Sequence, residues 1–238
     1  MNNHAGDGHL ANRLLAALSP EDFALLAPHL VTGALVQSEP IFGAGLAATH
    51  VWFPHEGVIS FVAVDTDGEA IEIATIGPEG MTGVAVALGS ETMRTEAMVQ
   101  VAGRASSIET WAFRQALETS PTLKQMMLRY VLAVITQISQ NAACGQLHAI
   151  NTRCARWLLT THDRVSGDSF HLTQEYLAMM LGVTRPSVSG AAGALQHAGL
   201  IRYSRGIITV VNRPGLESAA CECYRIIEDE FGRLRGHG

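Results

Sequence analysis

The chain has 238 residues, 47% of them hydrophobic and 16% charged, with a formal net charge of −6. That balance excludes a disordered polypeptide and leaves room for one large or two modest globular domains. An acidic chain is no general nucleic-acid binder, so any affinity for DNA must come from a local basic surface.

Residues 1–9, including His4 and His9, read as a loose tail and not as a metal site. The start lacks the basic residues and apolar run of a secretion signal, and no apolar run approaches the ~20 residues that span a bilayer. A cytoplasmic protein without a membrane partner is expected. Residues 10–30 read as helical, with Ser19-Pro20 starting a second helix. From Val31 to about Ile108 the pattern changes to short strands, at 34–37, 50–53, 58–64, 70–76 and 96–102. Glycine-containing turns separate several of them, which predicts a β-barrel or roll. Val58, Ser60, Val62 and Val64 alternate as a half-buried strand would.

Residues 110–118 predict a short helix, and Ser120-Pro121 opens a long one. Along it Met127, Val131, Val134, Ile138, Asn141 and Gly145 step by 4, 3, 4, 3 and 4. That is the spacing of a two-stranded coiled-coil seam, so this helix is expected to join two copies of the chain. A further helix follows at about 150–160.

Residues 172–211 are the most specific stretch. Thr173 is placed to cap a helix whose Leu177, Met180 and Leu181 share one face. Gly182 suits its left-handed end. Thr184 caps a second helix, with Pro186 in the first turn and Val188, Ala191, Ala192 and Leu195 turned inward. Gly199 ends it, and a polar turn at 202–206 precedes the β-rich run 207–211. Between His171 and Pro214 four arginines (Arg185, Arg202, Arg205, Arg213) face one acid, Glu175. Helix, turn, helix and two-stranded wing, locally basic, is a device for laying one helix in the major groove. Thr184, Arg185, Ser187 and Ser189 sit toward the start of that helix. Thr173, Gln174, Arg202 and Arg205 are placed to touch phosphate.

The order of helices, β-roll, long helix and winged helix-turn-helix resembles the Crp/Fnr family of bacterial transcription regulators, over roughly residues 12–225. The resemblance is most specific at 172–211 and extends to 77–95 and to 150–159, around Arg153. It implies an α+β architecture: an N-terminal cyclic-nucleotide-binding-like roll with flanking helices (1–119), a dimerisation helix (120–148) and a DNA-binding domain (149–238). The implied partners are a palindromic double-stranded DNA site, a second copy of the chain and RNA polymerase. In nucleotide-binding members a Gly-Glu pair and a later Arg-Ser or Arg-Thr hold the ligand. Here Gly83 and Arg94-Thr95 match, but Val84 stands where the glutamate should be. A valine cannot accept the ribose hydroxyl, and an unpartnered buried hydroxyl costs about 1–3 kcal/mol. Ordinary cyclic AMP binding is therefore not expected; another effector, touching Ser139 or Gln140 of the long helix, stays open, and so does none. In the recognition helix Arg185 and Ser189 match reading positions. Pro186 and Gly190 replace a frequent Glu and Arg, so an unfamiliar half-site is expected.

The remaining chemistry is exclusion. No Walker A loop, nucleophile elbow or HExxH motif is present, so no catalytic residue and no enzyme is expected. No Cys precedes Cys144, which argues against an iron–sulfur cluster, and nothing marks His50 or His55 as haem ligands. Cys221 and Cys223, two apart on an expected helix, should diverge and serve as packing residues, so no metal site or cofactor is assigned. A thiol switch at Cys144 or Cys154 has no support in the sequence. The competing reading is a sensor module that works through protein contacts with a degenerate helix-turn-helix.

Overall fold

The computed structural model describes residues 9–234; His4 lies outside them. His9 belongs to a short 3-10 turn, and its Nδ1 lies 2.5 Å from Ser106 Oγ. Two short helices follow, α1 (Arg13–Ala16) and α2 (Pro20–Leu26). Ser19 caps α2 by accepting from the Asp22 amide, as its sequence predicts.

The roll is built from β1 (Val31–Leu35), β2 (Pro40–Phe42), β3 (His50–Val64), β4 (Ala70–Ile76) and β5 (Glu96–Glu109), with a one-turn helix α3 (Val84–Ala87) before β5. All pairings are antiparallel, in the order β1-β5-β3-β4, and β2 adds to β5. The two strands expected at 50–53 and 58–64 are one strand. Its register against β5 shifts between Pro54 and Ile59, so the chain bends without leaving the sheet. Gly103 makes the bend possible: a Cβ there would run into the Glu56 carbonyl oxygen. Gly103 thus lets β5 run on to Glu109, where the sequence suggested an end at Ala102.

One face of the sheet carries Phe53, Ile59, Phe61, Ile76 and Val99, packed with Leu14, Leu15 and Leu26 from the N-terminal helices. Helix α4 (Thr110–Thr119) and the long α5 (Pro121–Leu147) close this core with Phe113, Met127 and Tyr130. Tyr130 is fully buried, and its hydroxyl donates to the Met81 carbonyl at 2.6 Å.

The other face is not solvated. Helix α6 (Ile150–His162) leads into the C-terminal unit of β6 (Ser169–His171), α7 (Gln174–Leu181), α8 (Arg185–His197), β7 (Ile201–Ser204), β8 (Ile207–Val210) and α9 (Arg213–Ala219). Val58, Val62 and Val101 of the roll share a core with Trp157, Leu158, Leu177 and Val188 of that unit. The alternation at 58–64 is therefore real, but both faces through Val62 are buried. A last helix, α10 (Cys223–Arg233), runs back along α5 and places Ile227 and Phe231 in the N-terminal core.

Buried polar bonds tie the roll to the C-terminal unit, to α5 and within itself. Trp157 Nε1 donates to Glu72 at 2.8 Å, and Ser60 donates toward Glu72 or Gln100 at 2.7 and 2.6 Å. Arg164 pairs with Glu79 at 2.6 Å, both buried. Gln137 of α5 accepts from the Thr75 amide at 2.9 Å, and Asn141 donates to the Ile73 carbonyl at 2.9 Å. Burial pushes the Glu72 carboxyl up from its ordinary 4.5 to about 7, against the pull of Ser60, Trp157, Arg156 and Arg164.

The expected dimer seam needs correction. Met127, Val131 and Val134 are buried against the chain's own roll, Ile138 packs on the same core, Asn141 is bonded to Ile73, and Gly145 lies on this half-covered side. The exposed apolar row lies one residue further on: Leu128, Leu132 and Ile135, at 43%, 55% and 51% exposure, continue to Ser139 and Ala142.

Candidate nucleic-acid interface

The helix-turn-helix forms for local reasons. Thr173 Oγ1 accepts from the Tyr176 amide at 3.2 Å, opening α7. Gly182 ends it with φ 60, the left-handed cap that a side chain would resist. Thr184 occupies the cap position of α8, but its hydroxyl lies 3.0 Å from Ser187 Oγ and makes no bond to a backbone amide. Pro186 stands in the first turn, where its missing N–H costs nothing. Val188, Ala191, Ala192 and Leu195 are buried as expected, and Gly199 leaves the helix with φ 70.

The wing is wider and tighter than the sequence suggests. Strands β7 and β8 are joined by Arg205 and Gly206 alone, with φ 50 and 76. Two successive left-handed residues are the signature of a type I′ hairpin, and an arginine at its tip carries a positive charge on a strained but short loop. Strand β6 pairs with β8 and makes a three-stranded sheet. Gln196 of α8 accepts from the Tyr203 amide at 2.7 Å, and the Tyr203 hydroxyl donates to the Leu172 carbonyl at 2.8 Å. These bonds fix the wing against the two helices.

Thr173, Gln174, Arg185 and Arg205 come together around one depression, with Glu175, Tyr203 and Gly206. Arg202 is exposed on β7, and Ser187 is exposed at the start of α8. Ser189 is half-buried and donates to Gln174 at 2.5 Å. Arg185 and Glu175, each 63% exposed, form an ion pair at 2.9 Å. Such pairs are worth about 0–1 kcal/mol, so Arg185 can exchange its partner cheaply. Arg213 cannot. It is held by Asp163 and Glu217 and donates to the Tyr224 hydroxyl, which removes it from the basic surface that the sequence count suggested. Tyr203 was not singled out by the sequence, where it is one aromatic in a polar run.

In the roll, Gly83 precedes α3, and a Cβ there would strike the Val51 side chain at 2.8 Å. Val84 is buried in the roll core with Val86 and Ala87. Arg94 is exposed, and Glu91, one of its sequence neighbours, pairs instead with Arg114 at 2.7 Å. Thr95 Oγ1 is buried without a partner among the described residues. Ser139 is exposed and donates to the Ile135 carbonyl of its own helix. His50 and His55 bond to neighbouring hydroxyls, Thr49 and Ser106.

The cysteines also depart from expectation. Cys221 lies before α10 and Cys223 at its start, so the pair does not diverge as two positions within one helix would. Both meet Cys144 in a small cluster apart from the two large cores. Cys154 is elsewhere, and burial pushes its thiol up to about 12, which makes it a poor nucleophile and a poor switch.

A model of the cyclic nucleotide-binding domain matches residues 34–120, and a model of the Crp-like helix-turn-helix domain matches residues 152–219. Among solved structures, FixK2 from Bradyrhizobium japonicum superposes with a TM-score of 0.68 at 16% identity, over 81% of this chain and 98% of its own. A CRP-family transcriptional regulator from Thermus thermophilus gives 0.64 at 22% identity, over 79% and 96%. The c-di-GMP-responsive global regulator CLP of Xanthomonas campestris gives 0.60 at 15%, over 81% and 99%. At these identities the structures establish the fold. No curated protein matches the chain by sequence. No described helix is long and apolar enough to cross a membrane.

Proposed function

Since the chain belongs to the Crp/Fnr family of transcription regulators, we propose that it binds a twofold DNA site as a homodimer, through α8 and the β7–β8 wing. The observation that carries this reading is the depression at the head of α8. There one exchangeable arginine, Arg185, stands beside the wing-tip Arg205 and the hydroxyl and amide of Thr173 and Gln174. Arg185 would read guanine or hold a phosphate, Ser187 and Thr184 would approach the same edge, and Arg202 and Arg205 would grip the backbone. Ser189 would act through Gln174, to which it is already bonded.

The dimer would form through Leu128, Leu132 and Ile135 of α5, whose spacing of four and three residues suits a helix pair. We place the sensor in the roll, residues 1–119, and the coupling at its outer face, where Glu72 meets Trp157 of α6. A signal that moves β4 there would reach the helix-turn-helix through α6 without a hinge. The buried Val84 argues that this signal is not cyclic AMP bound in the usual manner. RNA polymerase would be met on the DNA-bound dimer.

Arg185→Ala tests the reading. It should weaken binding to the selected site by about 1–3 kcal/mol and leave the sedimentation of the free protein unchanged. Equal affinity for the same site would overturn the assignment of α8.

A further inference from the structure

Four side chains remote from the DNA-facing surface converge on one point: Cys144, His148, Cys221 and Cys223. Cys144 and His148 stand four residues apart at the end of α5 and so share a side of it. Cys221 comes from the link between α9 and α10, and Cys223 opens α10. Their donor atoms all lie within 4.8 Å of one another. Cys144 Sγ is 3.5 Å from Cys221 Sγ, and Cys223 Sγ is 3.7 Å from His148 Nδ1.

The Cys144–Cys221 and Cys223–His148 separations match one ion, and the 4.8 Å bound on the others leaves up to ~1 Å to close on binding. Thiolates at ~2.3 Å and an imidazole at ~2.0–2.1 Å around a tetrahedral centre stand roughly 3.5–3.8 Å apart. An iron–sulfur cluster spreads its ligands over several irons and needs them wider. The surroundings match too. His148 Nε2 lies 3.3 Å from Glu222 Oε1, on the side of the ring away from Nδ1, which faces Cys223 Sγ. Metal-bound imidazoles usually have such a second partner. Arg156 is buried beside Cys144, and its Nε has no partner among the described residues. Three thiolates and a neutral imidazole around a dication carry one net negative charge, which this guanidinium balances. Cysteines buried only for packing would sit among aliphatic side chains; these sit against each other, an imidazole and a cation.

We propose that Cys144, His148, Cys221 and Cys223 form a closed four-coordinate site for a thiophilic dication of the zinc type, fastening the start of α10 to the end of the long helix. Binding releases the three thiol protons to solvent and uses no oxidant. With all four positions filled by protein, the ion has no room for a reacting water, so the site is structural. It ties the segment that follows the helix-turn-helix to the helix that precedes it, setting how the DNA-binding unit hangs from α5.

The test uses the full chain, purified under reducing conditions from zinc-supplemented culture. Elemental analysis should give one zinc per chain. After chelation, Co2+ alone should produce the intense visible bands of tetrahedral thiolate-bound cobalt, saturating at one ion per chain and bleached by zinc. Cys221→Ser and Cys223→Ser should each lose at least tenfold in cobalt affinity, and Cys154→Ala should lose none. If the serine variants misfold, the spectrum of the unaltered chain decides alone. A weak octahedral cobalt spectrum with no bound zinc would overturn the proposal. So would recovery of the freshly reduced and re-isolated protein with a Cys144–Cys221 disulfide in place of metal.

Discussion

Glu72 is a buried carboxyl at the contact between the roll and the DNA-binding unit. Its carboxyl is buried between Ser60 and Trp157, with a folded value of about 7 against an ordinary 4.5. An acid raised by folding binds its proton more tightly in the native state. Its contribution is therefore fully present below pH 4.5, is lost as pH climbs to about 7, and changes no further above that. Glu72→Gln keeps an acceptor for Trp157 and removes the titration. Urea melts should show the parent losing on the order of 3 kcal/mol between about pH 4 and 8 from this group, with the variant flatter and the more stable of the two at pH 8. Equal slopes would show that the carboxyl is not held as described. Nothing in the sequence marks Glu72, because its partners lie 12 and 85 residues away. Thr173 and Gly182, by contrast, were legible, since a cap and a left-handed helix end are written in the neighbouring residues.

At the scale of the element, α5 carries two apolar rows offset by one residue. Periodicity finds both, and burial decides between them. Met127, Val131 and Val134 are taken by the roll, whereas Leu128, Leu132 and Ile135 are left outward. The sequence cannot choose, because the choice depends on which face the distant Ile76 and Met81 cover. The two rows make opposite predictions. Ile135→Glu should give a folded monomer on a sizing column, since the charge meets only water once the partner leaves. Val134→Glu should lose several kcal/mol of stability, because it buries a charge in the N-terminal core. A dimeric Ile135→Glu protein would remove α5 as the interface. Strand β3 teaches a related lesson. Its Pro54–Gly57 stretch reads as a loop, and only the close approach of Gly103 shows that it is a bend within one strand.

For the whole molecule, the order of roll, long helix and winged helix-turn-helix was legible because each unit has its own local pattern. Their docking was not. The outer face of the roll, a half-exposed strand by its alternation, is closed by α6 and α7 through Val58, Val62 and Trp157. The cysteine cluster was missed for the same reason, since Cys144 and Cys221 are 77 residues apart and meet only because α10 returns along α5. The basic surface was overcounted, with Arg213 spent on Asp163. What remains is an acidic protein with a small basic edge at Arg185, Arg202 and Arg205, and on the proposed reading the long helix presents two copies of that edge to one duplex.

That claim is tested most directly by selecting bound fragments from a random duplex library with the purified protein. The selection is run at ~150 mM salt, where nonspecific phosphate binding has faded, with and without cyclic AMP. A twofold motif recovered equally in both conditions is the expected result: two copies of α8 reading DNA from a roll that cyclic AMP does not control. A motif that emerges only with the nucleotide would contradict the reading of Val84, and enrichment of no motif in either condition would contradict the assignment of α8 and the wing as a sequence-reading surface.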